Sequence, residues 1–252
     1  MRYCVVLLAV LFMWICHSAM AAGEAAQPFS EHMQKAELVF IGTLTGTEYG
    51  TNGTRGFLTD LTFRVDKLIK GEPNIDADTV KFCIPGGIAK DAKTGELIRH
   101  GSTMGDAFAG LEVDSTFILM LRENEAIASW MPKRDGLFPI SRSHGVWSVT
   151  SKKTKSGTDY FVHMWTLGSE RLKQHFLAIP LETFVELMEA SKIYGGKVDP
   201  IADLIRDAAQ TGELRGVRPD SDAAAAVQAA VTKQIRIELA KLKGKREQAP
   251  TK

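Results

Sequence analysis

Thr59 to Lys67 reads Thr59-Asp60-Leu61-Thr62-Phe63-Arg64-Val65-Asp66-Lys67, with Leu61, Phe63 and Val65 apolar and the residues between them polar. A period of two places alternate side chains on opposite faces, so this stretch is a strand with one face buried and one wet. The alternation slips at Leu68-Ile69, both apolar, before Gly71. A bulge or a strand end near Lys67 accounts for such a slip.

On the N-terminal side, residues 37–45 (ELVFIGTLT) are apolar on both parities through Val39, Phe40 and Ile41, as expected of a strand covered on both faces. Between these strands, residues 49–56 (YGTNGTRG) are dense in turn formers, and Asn52-Gly53 is the strongest short hairpin signal in the chain. On the C-terminal side, Val80, Phe82 and Ile84 alternate with Thr79, Lys81 and Cys83, and Pro85-Gly86-Gly87 ends that strand. Residues 88–112 are mostly polar and carry four glycines, which predicts a long loop of the kind that often carries function. Residues 115–122 (STFILMLR) predict a central strand, and residues 137–140, 145–150 and 159–165 predict three shorter ones, with a polar hairpin over 152–157.

From Pro180 the period becomes helical. Leu181, Phe184, Val185 and Met188 form one stripe that Gly195-Gly196 stops. Asp199-Pro200 opens a second helix carrying Ile201, Leu204, Ile205 and Ala208. Asp220, Ser221 or Asp222 caps a third, with Val227, Val231, Ile235, Leu239 and Leu242 on its apolar side. Strands followed by helices predict an α+β fold.

The N-terminus has its own grammar. Arg2 supplies a positive charge, Val5 to Cys16 is an unbroken apolar run, and Ala19-Met20-Ala21 has the small-residue form of a signal-peptidase site. The apolar run is shorter than the roughly 20 residues a membrane-spanning helix needs. Residues 1–21 are therefore read as a cleaved export signal, which gives a periplasmic or secreted protein. Cys4 and Cys16 leave with it, so Cys83 is the only cysteine of the mature chain and no intramolecular disulfide forms. The whole chain has a formal net charge of +1, and Arg2 is the only charge before residue 22. A neutral mature chain supplies no electrostatic reason for a nucleic-acid partner, and no second apolar stretch is long enough for a membrane span.

The order of these pieces carries a resemblance. Ala36-Glu37-Leu38-Val39-Phe40-Ile41-Gly42 is followed by a turn and by Leu61 to Gly71, with the form V-x-x-x-x-K-G at Val65, Lys70 and Gly71. Then come Pro85-Gly86-Gly87, a long segment and Phe117-Ile118-Leu119-Met120-Leu121. Over residues 36–125 this resembles the netrin-like, OB-type barrel of tissue inhibitors of metalloproteinases, and uncharacterised exported bacterial proteins of the same layout. The resemblance implies an antiparallel OB-like β-barrel followed by a C-terminal helical region. The resulting domain plan is 22–35 as an N-terminal segment, 36–168 as the barrel, 169–244 as the helical region and 245–252 as a basic disordered tail. Those inhibitors act through an N-terminal cysteine, whereas the expected mature start here is Ala22-Gly23-Glu24, so the inhibitory residues do not carry over.

Catalytic signatures are missing: there is no G-x-S-x-G, H-E-x-x-H, Walker loop or C-x-x-C. No two mature histidines stand at i, i+4, and neither a cofactor nor a metal is expected. His163 alternates with Phe161 and Trp165 and reads as a core or boundary residue. Cys83 reads as a small buried hydrophobe in preference to a reactive thiol. The polar clusters that remain are Ser141-Arg142-Ser143-His144-Gly145, most simply a hairpin connection, and the charged part of 88–112. Arg99, His100, Arg142 and His144 are thus the candidate binding residues. The expected function is a non-catalytic binding module that contacts a protein partner or a ligand through barrel loops. The competing expectations are a hydrolase built around His144 or His100, and an envelope protein whose C-terminal helices dimerise.

Overall fold

Pro28 begins the part of the chain that the computed structural model describes: residues 28–51, 57–72, 78–85, 87–90, 97–100, 113–123, 137–139, 146–154, 157–165, 176–210 and 221–247. A short helix, α1 (Phe29–Lys35), leads into two long strands, β1 (Leu38–Thr51) and β2 (Phe57–Lys70). Then follow β3 (Thr79–Pro85), β4 (Gly87–Lys90), β5 (Leu97–His100), β6 (Thr116–Glu123) and β7 (Leu137–Pro139). The last strands are β8 (Val146–Thr154), β9 (Gly157–Trp165) and β10 (Phe176–Pro180). Helix α2 (Leu181–Tyr194), a 3₁₀ turn (Gly195–Val198), α3 (Asp199–Gln210) and α4 (Asp222–Glu247) complete the described chain.

The architecture is α+β. Seven strands form one antiparallel sheet in the order β10-β9-β8-β6-β1-β2-β3, and β7 joins the free edge of β6 beyond β8. The sheet is not closed: among the described residues no ladder joins β3 to another edge, although β3 comes within 8 Å of β7. The antiparallel sheet followed by C-terminal helices is as expected, whereas closure of that sheet into a barrel is not seen among the described residues.

The two-sided burial expected of residues 37–45 is present. Leu38, Phe40 and Leu44 enter one core, and Val39 and Ile41 enter another on the opposite face. β6 alternates likewise, with Phe117, Leu119 and Leu121 on the first side and Ile118 and Met120 on the second. Phe63 centres the first core: it stacks on Phe82 at 5.6 Å and meets Phe40 and Phe117 edge-on at 6.3 and 6.0 Å. Burying a phenylalanine of this kind contributes roughly 1.5–3 kcal/mol. The second core is roofed by helices. Phe184 of α2 packs against Trp147 at 5.4 Å and Phe29 at 5.9 Å, and Ile235 and Leu239 of α4 are fully covered.

The slip at Leu68-Ile69 is a pair of bulges. Ile41 is opposite Lys67 but Gly42 is opposite Val65, so Asp66 is an extra residue on β2, and Ile69 is a second. Each inserted residue flips the parity. Leu61 and Phe63 consequently face the first core while Ile69 reaches the helical one.

Three elements depart from the sequence reading. Residues 88–112 are not wholly loop, because β4 and β5 pair with Ala89 opposite Ile98. β10, inside the region expected to be helical, adds an edge strand to β9 before α2 begins. α4 runs to Glu247, into the segment expected as a disordered tail. The Asn52-Gly53 turn lies outside the described residues, while the ladder on either side of it runs to Thr51 opposite Phe57. As expected, Tyr194 ends α2 at a glycine with φ of 55°, and the Ser221 hydroxyl caps α4 by accepting from the amide of Ala224 at 3.2 Å. Among the described residues no helix is long and apolar enough to cross a membrane.

Candidate binding surface

Strand direction gathers the hairpins at one end of the sheet. β6 runs antiparallel to β1 and β8 antiparallel to β6, so β1 and β8 point the same way. The β1–β2 ladder runs on to Thr51, β3 ends at Pro85 beside Leu58, and β4–β5 follows at once. The β6 ladder stops at Thr116, opposite both Thr43 and Val149. Past that point β8 and β9 continue as a ribbon to Thr154 opposite Gly157, and residues 150–154 and 157–160 are all exposed. Tyr160, half exposed, lies on this ribbon across from Ser151.

The base of this end is organised by the bulge residue. Asp66 accepts the hydroxyl of Thr43 at 2.6 Å and Nε of Arg64 at 2.9 Å, and the Thr43 and Thr116 hydroxyls are 3.3 Å apart. Thr43 is buried, whereas Arg64 keeps 57% of its side chain exposed. A guanidinium held by a carboxylate that a buried hydroxyl holds in turn is presented to solvent in one orientation. Further along, Thr62 lies opposite Lys81, and Glu48 opposite Asp60. Leu61, Phe63, Val80 and Phe82 face the first core, so Thr62, Arg64 and Lys81 face away from it. This outward face carries both signs of charge.

The candidate residues fall partly within this end. Arg99 and His100 are paired in the β4–β5 hairpin with Ile88 and Gly87, at its base next to β3. Arg142 and His144 lie outside the described residues. His163 is placed in β9, opposite Ala178 and Ser148. The Arg64–Asp66–Thr43 group was not singled out by the sequence reading. Its signal was there, in the polar parity of Thr62, Arg64 and Asp66 at the slip.

Other reactive groups serve the fold. Cys83 is free and buried, and its thiol is pushed up to about 11 by burial, opposed by a backbone hydrogen bond at Thr59. That is the opposite of an activated cysteine. Lys70 donates to the carbonyls of Met33, Gln34 and Ala36 at 2.7, 3.0 and 2.5 Å, capping the C-terminus of α1. Burial holds its ammonium below the ordinary lysine value; Glu37 opposes this and Lys192 adds to it. Gly71, next in the chain, adopts φ of 90°, and a Cβ there would collide with the Glu37 carbonyl. The K-G pair of the resemblance thus docks α1 onto β2. Among the described residues no three His, Cys, Asp or Glu side chains converge as metal ligands do.

No protein family, curated protein or solved structure matches the chain.

Proposed function

We propose that this chain is an exported, non-catalytic binding module whose curled sheet is an OB-like barrel. It contacts a protein partner or a ligand through the end where its hairpins gather. The observation that carries the reading is the anchored Arg64 on β2, within the β1–β2 ladder at the base of the end from which the exposed β8–β9 ribbon also projects. Barrels of this type bind through strand faces and loops. The barrel reading draws support from the approach of β3 to β7 and from the phenylalanine cluster inside the curl. Export rests on the signal grammar of residues 1–21.

The test is a pull-down from envelope and medium with the exported protein as bait, followed by mass spectrometry. One stoichiometric partner is expected, and it should be lost when residues 88–112 are shortened and weakened by Arg64→Ala. A hydrolytic turnover that disappears in His144→Ala or His100→Ala would replace this reading with an enzyme. N-terminal sequencing of the exported chain should begin at Ala22, and retention of residues 1–21 would overturn the export assignment.

A further inference from the structure

We draw no further inference here: the strongest candidate, the exposed β8–β9 ribbon with Lys152, Lys153 and the half-exposed Tyr160, belongs to the hairpin end already proposed for the partner, and nothing in the structure shows what covers it.

Discussion

The ammonium of Lys70 stands 2.7 Å from the carbonyl oxygen of Met33, at the point where α1 runs out of its own donors. The last four carbonyls of any helix lack intrahelical partners, and here one cation satisfies three acceptors. Lys70→Met should therefore destabilise the protein by about 2–3 kcal/mol, measured by urea unfolding. Lys70→Arg keeps the charge but is a planar fork that does not reproduce a three-way cap, so it should recover less than half of the loss.

Gly71 makes the adjoining prediction. At φ of 90° and with the Glu37 carbonyl oxygen where a Cβ would stand, Gly71→Ala meets both backbone strain and a collision with main chain. A loss of about 2 kcal/mol or more is expected. Gly46→Ala is the control: its Cβ would find Thr62 at 3.8 Å, an ordinary contact. It should change the thermal midpoint little.

Cys83 sets a pH limit. Its thiol is raised from 9.0 to about 11 in the folded chain, so the neutral form is favoured by folding. The associated stability is complete below pH 9 and is lost as pH rises through about 11, up to roughly 2.5 kcal/mol. Urea midpoints taken between pH 8 and 11 should fall, and in Cys83→Ala this part of the decline should vanish. Alkylation at pH 8 should label the unfolded chain and spare the folded one.

Asp66 and Arg64 should separate stability from binding. Asp66→Ala removes the acceptor of the buried Thr43 hydroxyl and should cost about 1–2 kcal/mol. Arg64 is mostly exposed, so Arg64→Ala should shift the unfolding midpoint by less than about 0.5 kcal/mol. Both should reduce capture of the partner. Equal stability losses with unaffected capture would show that the group only supports the bulge.

Periodicity alone determined most of the strands and helices of this protein. Alternation reports which face of a strand is dry, and the double parity of Val39, Phe40 and Ile41 announced a layer on each side. β4 and β5 escaped because four-residue strands are too short to display a period, and their pairing joins residues across a masking polar segment. β10 escaped for a related reason: a five-residue strand ending at Pro180 is too short to show a period, and it lies within the 169–244 region expected to be helical. What the K-G pair is for was also illegible, since Lys70 acts on carbonyls 34 to 37 residues away. The same holds for the Asp66 group, which exists because one inserted residue turns a carboxylate towards Thr43 on the neighbouring strand. Local chemistry dictates which elements form and which sides they bury. Their curl, their open edge and the end at which the hairpins meet depend on contacts between residues far apart in the chain, and those only the folded structure decides.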